Sequence, residues 1–154
     1  MTSLHFRSLS LVLISVAAMS GSIANAAKPG KIDKDAPKKF TKLNSGLKYR
    51  ILRKSKGEMP DEDSTVTVHY RGWLIDKNGK AGKVFDSSYK RNKKATFPLN
   101  RVIKGWTEGL QLVGVGGMIE LEIPPNLGYG ARGAGNIIPP NATLRFLVEL
   151  YEIR

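Results

Sequence analysis

The chain has 154 residues, which is enough for one ordinary domain. Its hydrophobic content of 41% allows a buried core and excludes a disordered or fibrous chain, and the absence of cysteine excludes a disulfide framework, a thiol nucleophile and a cysteine metal site. The chain has 25 basic and 13 acidic residues, so its net charge is +12, which favours contact with polyanionic surfaces.

The first 26 residues are typical of a secretory signal peptide. His5 and Arg7 lie in a short region without acids, and residues 9–19 form an almost continuous apolar run. Residues 24–26, Ala-Asn-Ala, then supply a cleavage pattern of small residues. A membrane anchor or a buried helix is the alternative, but the run is short for a bilayer. We therefore expect cleavage after Ala26 and a periplasmic or secreted protein.

Residues 27–43 are rich in lysine and are interrupted by proline and glycine. Their few apolar residues follow neither a helical nor a strand period, so we expect a flexible basic arm. The arm is either a solubilising tail or a weak contact for a polyanion or an anionic surface. The folded domain is expected over residues 44–154.

The domain shows a β-rich pattern with glycine and proline breaks. Residues 65–73 alternate apolar and polar side chains, which predicts a half-buried strand. Strands are predicted at residues 47–54, 65–73, 83–86, 95–99, 118–123 and 143–153. Residues 126–141 contain too much glycine and proline for regular structure.

One amphipathic helix is predicted over residues 102–113. Ile103, Trp106, Leu110 and Val113 recur at steps of three and four residues and form one apolar face. Several strands with one such helix indicate an α+β domain in which a twisted antiparallel sheet packs on the helix.

Most catalytic motifs are missing. The chain lacks the signatures of serine hydrolases, nucleotide-binding loops and zinc proteases. The glycines of residues 128–135 lack the strand, helix and lysine of a phosphate-binding loop. His69 is the one histidine after the signal peptide, too few for a histidine metal site. We expect no cofactor and no metal.

An apolar cluster around one acid remains as the candidate site. Asp86 follows Phe85, and aromatic and aliphatic residues from many segments can gather near it. A plain hydrophobic core is the alternative. That alternative fits less well for Tyr129, Ile137 and Ile138, because apolar residues on a loop rich in glycine and proline usually cap a pocket or bind a ligand.

Four motifs in this order resemble those of the FKBP-type peptidyl-prolyl cis/trans isomerases. They are Val-Phe-Asp-Ser-Ser at residues 84–88, Val-Ile-Lys-Gly-Trp-Thr-Glu-Gly-Leu at 102–110, Leu-Gly-Tyr-Gly-Ala at 127–131, and Ile-Ile-Pro-Pro-Asn-Ala-Thr-Leu at 137–144. The resemblance covers about residues 44–154. It implies a five- to six-stranded antiparallel sheet wrapped around one helix, and acceleration of X-Pro rotation during the folding of exported proteins.

The resemblance also implies roles for single residues. Trp106 would form the pocket floor, and the Ile103 N–H would donate to a ligand carbonyl. The expected catalytic residues are Asp86, Tyr129, Tyr70 and Ile103. The expected substrate-binding residues are Phe85, Arg91, Phe97, Val102, Trp106, Ile137, Ile138 and Phe146. Ala95 replaces an aromatic residue of many members, and Ala134 a histidine of some, which bears on substrate preference and on macrolide affinity.

The partners implied are proline-containing unfolded or partly folded proteins, and macrolides such as rapamycin. Nucleic acid is not expected, because no interleaving of aromatic and basic residues suggests base stacking. A monomer is expected, since residues 27–41 are too short and too broken by proline to form a dimerising helix. Two other functions compete with catalysis: a chaperone that binds in the same groove without turnover, and a polyanion binder.

Overall fold

The computed structural model describes residues 26–154. The predicted signal peptide lies outside the described residues, apart from Ala26. The described residues form seven strands and one α-helix. These are β1 (Thr41–Lys42), β2 (Lys48–Arg53), β3 (Thr65–Ile75), β4 (Ala81–Ser87), β5 (Ala95–Pro98), α1 (Lys104–Leu110), β6 (Met118–Ile123) and β7 (Thr143–Ile153). The predicted α+β class is confirmed.

All strand pairs of the sheet are antiparallel, in the order β1-β2-β6-β7-β3-β4, and β5 also pairs with β3. Strand β3 is long enough to hold two partners on one side. Its first half, from Thr65 to Val68, pairs with β5, and its second half, from Arg71 to Ile75, pairs with β4. The chain between β4 and β5 therefore leaves the sheet at residues 88–94 and returns, which places this connection beside the pocket described below.

Alternation along the strands gives the sheet two different faces. On β7 and β6, Phe146 lies opposite Leu121 and Val148 opposite Ile119, and all four side chains are fully buried. Helix α1 covers this inner face. Gly105 and Gly109 allow the close approach, because a Cβ atom on either would lie 2.6 Å from a side-chain carbon of β6.

Helix α1 is shorter than the predicted residues 102–113. Ile103 has an extended backbone, with φ −60° and ψ 146°, and so caps the helix instead of belonging to it. After Leu110 the chain continues as a turn, in which the Leu112 N–H donates to the Gly109 carbonyl at 3.1 Å. Trp106 and Leu110 still lie on one buried face, so the apolar period is right although the ends are not.

The outer face of the sheet is covered by residues 28–42, which we name the N-terminal strap. Strand β1 within the strap pairs with β2. The Asp33 N–H donates to the Leu52 carbonyl at 2.8 Å, and the Gly30 N–H donates to a Glu149 carboxylate oxygen at 3.0 Å. The strap is therefore hydrogen-bonded to the domain, where the sequence suggests a flexible arm.

Phe40 shows why the strap packs although it lacks a regular apolar period. Its ring lies between the guanidinium groups of Arg50 and Arg145, at 4.9 and 5.2 Å from the ring centroid. Charged side chains of the outer face thus supply contacts that hydrophobic periodicity does not reveal. Among residues 26–154, no helix has the length and apolar character needed to cross a membrane.

Candidate active site

Four aromatic rings pack together at the centre of the candidate site, and we name them the aromatic box: Tyr70, Phe97, Trp106 and Phe146. Trp106 is fully buried. The other three rings meet it edge-on, with centroids 5.3 to 5.6 Å away and interplanar angles of 84° to 90°. Edge-to-face packing at this separation is the favoured arrangement of aromatic rings. The box therefore joins β3, β5, α1 and β7 into one rigid apolar surface.

Gly72 makes room for the outer wall of the pocket. A Cβ atom on Gly72 would lie 2.6 Å from the Phe85 ring and 2.8 Å from the Phe146 ring. Those two rings pack edge-on, 5.5 Å apart, across the space that a side chain would occupy. Sequence reasoning missed Gly72; the available signal was a glycine inside an alternating strand.

Three of the predicted polar residues meet at the pocket wall, and we name Tyr70, Asp86 and Arg91 the polar cluster. Asp86 is buried near the end of β4. Its carboxylate accepts a hydrogen bond from the Tyr70 hydroxyl and pairs with Arg91 Nη1. Arg91 Nη2 donates to the Tyr70 hydroxyl oxygen at 2.9 Å, which closes a ring of contacts. The buried carboxylate is therefore paired on both oxygens.

The protonation states of the cluster follow from burial and from Asp86. Burial raises the pKa of the Tyr70 phenol, and the hydrogen bond to Asp86 raises it further. Burial alone would lower the pKa of Arg91, but its hydrogen bonds and its attraction to Asp86 and Tyr70 raise the value. Tyr70 thus keeps its proton, and Arg91 stays a cation, over the ordinary pH range.

Ser88 holds the strand that carries Tyr70. Its hydroxyl oxygen accepts the Tyr70 N–H at 2.7 Å and lies 2.8 Å from Nδ1 of His69. The Ser88 N–H donates to the Tyr70 carbonyl at 3.0 Å. Ser88 was not selected from the sequence, although it ends the motif that contains Asp86. His69 lies on the outer face, stacked on Tyr89 with ring centroids 4.8 Å apart, and so away from the pocket.

Val102 and Ile103 form the wall at the start of α1, and both are buried. The Ile103 carbonyl accepts the N–H groups of Trp106 at 2.9 Å and Thr107 at 3.2 Å. Among the hydrogen bonds of the described residues, the Ile103 N–H is not a donor. A ligand carbonyl is thus an available partner for this group.

The loop of residues 126–141 contains two short 3₁₀ turns and a β-bridge between Ala134 and Ile138. Gly133 has a φ of 63°, and a Cβ atom there would lie 2.3 Å from the Ile138 carbonyl oxygen. The bridge therefore requires glycine at this position. The sequence correctly excludes helix and strand over these residues, but it does not reveal the bridge.

The two isoleucines of this loop have different positions. Ile138 is fully buried in the core and anchors the loop. Ile137 is half-buried and lines a surface cavity of about 210 Å³ together with Phe85 and Leu74. Tyr129 is half-buried and packs against the core, with its hydroxyl oxygen buried. The apolar site residues thus belong to one connected hydrophobic cluster, and Asp86 and Arg91 join it through their contacts with Tyr70.

An aromatic cluster, a backbone N–H without a donor role among the described residues and a buried carboxylate paired with Arg91 are chemically suited to a small apolar, uncharged group with a nearby carbonyl. Residues 56–151 match the family model of the FKBP-type peptidyl-prolyl cis-trans isomerases. The chain therefore belongs to this family, as its motifs predict.

Named relatives agree with this assignment. The FKBP-type 22 kDa peptidyl-prolyl cis-trans isomerase of Escherichia coli is 51% identical over 109 residues, which are 71% of this chain and 50% of that protein. The outer membrane protein MIP of Legionella longbeachae is 43% identical over 131 residues, 85% of this chain and 50% of that protein. The crystal structure of FkpA from Escherichia coli matches with a TM-score of 0.70 and 46% identity, over 77% of this chain and 53% of that one. The chain thus spans about half the length of the curated relatives that it matches.

Proposed function

We propose that the chain is a peptidyl-prolyl cis/trans isomerase that accelerates the rotation of X-Pro bonds in exported proteins. The aromatic box carries this proposal, because its rings pack around Trp106, the residue that would form the floor of the proline pocket by resemblance to the family. Membership of the FKBP family and the names of the relatives support it.

The chemistry needs neither a nucleophile nor a cofactor. Amide resonance sets a barrier of roughly 18–20 kcal/mol to rotation, so that X-Pro bonds interconvert over tens to hundreds of seconds. At the twisted midpoint this resonance is lost, and the amide is less polar than in either planar state. A pocket that is apolar and poor in water therefore stabilises the twisted amide relative to the planar one.

Hydrogen bonding holds the rest of the peptide while the bond turns. The Ile103 N–H and the Tyr129 hydroxyl would donate to the carbonyls that flank the proline, which fixes the segment on one side of the rotating bond. The polar cluster keeps the Tyr70 ring and Arg91 in place at the wall, because Asp86 contacts both. Phe85 and Ile137 would contact the residue beside the proline.

A protease-coupled prolyl assay with macrolide competition tests this function. The protein from residue 27 onward should increase the rate of cis-to-trans conversion in a Leu-Pro peptide, and rapamycin should abolish the increase. If the protein binds the peptide and rapamycin but leaves the rate unchanged, the alternative function would hold instead: a chaperone that binds in the same groove without turnover.

We also propose export, with cleavage after Ala26 and a periplasmic or secreted mature protein. The apolar run and the Ala-Asn-Ala pattern of residues 24–26 support it, as does a relative named as an outer membrane protein. Mass spectrometry of the protein from its native host should give an N-terminus at Ala27. A main species that begins at Met1 would contradict it.

The proposed partners are unfolded or partly folded proteins that contain proline. The proposed oligomeric state is a monomer, supported by a strap that packs on the sheet of its own chain. The lysines of the strap are exposed, which supports a weak contact with an anionic surface. Binding to anionic vesicles that weakens with salt, and that is lost without the strap, would test this contact.

A further inference from the structure

The positive charge of the protein is concentrated in the two segments that build the pocket mouth. Residues 77–104 and 126–142 together contain ten lysines or arginines and one acid, Asp86, whereas the remainder of the chain contains fifteen basic and twelve acidic residues. These two segments supply most of the predicted site residues. Most of the net charge therefore lies in the segments that carry the site, although Lys77 and Lys80 belong to the turn between β3 and β4, and Lys94 lies 4.0 Å from the ring centroid of Tyr151.

The charges at the mouth are available to a ligand. The carboxylate of Asp86 is buried and is neutralised by Arg91. In the first of these two segments, Lys83, Lys90, Lys93, Arg101 and Lys104 are exposed and take part in none of the ion pairs of the described residues.

Two arginines on the outer face of the sheet differ in this respect. Arg50 pairs with Glu120, and Arg53 pairs with Glu149. These two arginines are thus balanced by acids of the same chain, whereas the lysines of the strap, on the same face, are exposed and take part in none of the ion pairs of the described residues.

The basic side chains at the mouth project from a backbone that is held in place. Residues 88–94 carry Lys90 and Lys93, and this connection begins with Tyr89, which is fully buried. The Tyr89 hydroxyl donates to Glu149 at 2.5 Å, and the Tyr89 carbonyl accepts the Asn92 N–H at 3.0 Å. The loop is therefore an ordered part of the domain and not a solvated tail.

Two further cations lie beside residues that would contact the substrate. Lys83 lines the 210 Å³ cavity together with Phe85 and Ile137. Lys104, the first residue of α1, directly follows Ile103, whose N–H would bind a substrate carbonyl. A polypeptide bound by Ile103 and by this cavity would therefore lie near both lysines.

We propose that the site selects X-Pro segments that carry Asp or Glu within a few residues of the proline. This inference rests on the proposed isomerase function and names its substrate class. Charge complementarity between a binding surface and its ligand raises the association rate and disfavours ligands of the same charge. Because exposed charges act through solvent, the preference weakens with salt as the screening length falls from about 30 Å at 0.01 M to about 8 Å at 0.15 M.

Three peptides that share a central Leu-Pro test the proposal, with flanks of Asp and Glu, of Ser, or of Lys. Exchange NMR reads the rate of isomerisation without a coupling protease. At about 0.01 M salt, kcat/KM should be about three- to tenfold higher for the acidic peptide than for the neutral one, and lower still for the basic one. The ratios should approach one as salt is added. An acidic peptide with Ala in place of Pro should bind more weakly than its proline parent.

Two charge-reversal variants with the same net charge locate the effect. In Lys90→Glu/Lys93→Glu, the acidic peptide should lose its advantage while kcat/KM for the neutral peptide stays within about twofold of the unmodified protein. The control is Lys34→Glu/Lys39→Glu, which changes two exposed lysines of the strap on the outer face and should keep the preference. Circular dichroism confirms that both variants fold.

Each other outcome overturns the proposal or separates it from the proposed function. Equal turnover of all three peptides would overturn the acidic preference and leave the isomerase standing. Equal loss of preference in both variants, or equal binding of the acidic peptides with Pro and Ala, would indicate a general polyanion surface and also overturn it. If no peptide is isomerised, the proposed function fails, and NMR titration of the three peptides still decides the preference by their relative affinities.

Discussion

Asp86 is the one acid in the walls of the pocket, and both of its carboxylate oxygens are occupied by Tyr70 and Arg91. A carboxylate in this position either organises the pocket for the transition state or only stabilises the fold. Asp86→Leu roughly preserves volume and removes the charge. If the cluster serves catalysis, kcat/KM for a Leu-Pro peptide should fall at least about tenfold, which is 1.4 kcal/mol of transition-state stabilisation.

Thermal unfolding of the same variant provides the control. A cooperative transition shows that the loss of activity is not a loss of folded protein. Tyr70→Phe removes the hydroxyl and keeps the ring, so it should reproduce part of the loss. An Asp86→Leu protein with a lower Tm but wild-type activity per folded molecule would reduce Asp86 to a structural residue.

Trp106 lies at the centre of the aromatic box and is fully buried. Trp106→Ala should destabilise the domain by about 3–5 kcal/mol, because it removes a large buried ring and leaves a cavity. The second tryptophan of the chain is Trp73, on the outer face. In a Trp73→Phe background, the fluorescence of Trp106 should change on rapamycin binding. Confirmed binding with unchanged emission would argue against Trp106 as the floor.

At the scale of elements, the loop of residues 126–141 depends on one glycine. Gly133→Ala would place a Cβ atom 2.3 Å from the Ile138 carbonyl oxygen at a φ of 63°, so the β-bridge must shift. Because displacement of substrate-positioning groups by about 1 Å can cost a hundredfold in rate, we expect at least a tenfold loss of kcat/KM.

Gly135→Ala is the matched control for this loop. Its φ of 51° is also positive, but nothing lies within 4 Å of the added Cβ atom. It should therefore cost about 1–2 kcal/mol of stability and little activity. Equal losses of kcat/KM in the two variants would show that the bridge is not what positions the loop.

The strap and the connection of residues 88–94 meet at one buried acid, Glu149. Burial alone would raise the pKa of this carboxyl group, but hydrogen bonds from Tyr89, Gly30 and Arg53 outweigh it and lower the pKa below the usual value of 4.5. A lowered folded-state pKa stabilises the fold above about pH 4.5, and this contribution is lost as the pH falls through the folded-state pKa.

Glu149→Gln should therefore be less stable than the unmodified protein by about 1.5–3 kcal/mol at pH 7. The difference should shrink as the pH is lowered from 7 to 3, because below about pH 4.5 the carboxyl group of the unfolded chain takes up a proton more readily than that of the native protein. Denaturant unfolding at both pH values measures it, with Glu152→Gln, an exposed acid of the same strand, as the control. A difference that stays constant with pH would mean that the charge of Glu149 contributes nothing.

The sequence predicts the regular parts of the fold well, and the reasons are visible in particular elements. The bounds of β6 and β7 agree with residues 118–123 and 143–153, because apolar alternation in both runs is strong and a glycine or proline break flanks each. The predicted helix of residues 102–113 is longer than α1 at both ends. At its start, Val102 and Ile103 continue the apolar pattern although their backbone is extended.

Hydrophobic periodicity does not predict contacts that polar and charged groups make between distant parts of the sequence. The strap has no apolar period, and it packs through backbone hydrogen bonds and through Phe40 between two arginines. The network around Glu149 joins residues 60 to 119 positions apart. For the site, periodicity placed Trp106 on the helix face, but the meeting of Tyr70, Asp86 and Arg91 came from the family resemblance.

At the scale of the whole molecule, the sheet separates two different surfaces. The inner face holds α1 and the pocket with its unbalanced positive mouth, and the outer face holds the strap and most of the internal ion pairs. On the outer face, Glu149 contacts Tyr89, from the connection of residues 88–94, and Gly30, from the strap. The domain thus carries the candidate site on the inner side of the sheet and the strap on the outer side.

Exchange NMR of a Leu-Pro peptide at equilibrium is the most direct test of the central claim, because a catalyst accelerates both directions of rotation without changing the cis and trans populations. The protein from residue 27 onward is added at about one hundredth of the peptide concentration. It should shorten the exchange time well below the uncatalysed tens to hundreds of seconds and leave the cis and trans populations unchanged. Peptide signals that shift on binding while the exchange rate stays at its uncatalysed value would contradict an isomerase and identify a protein that only binds.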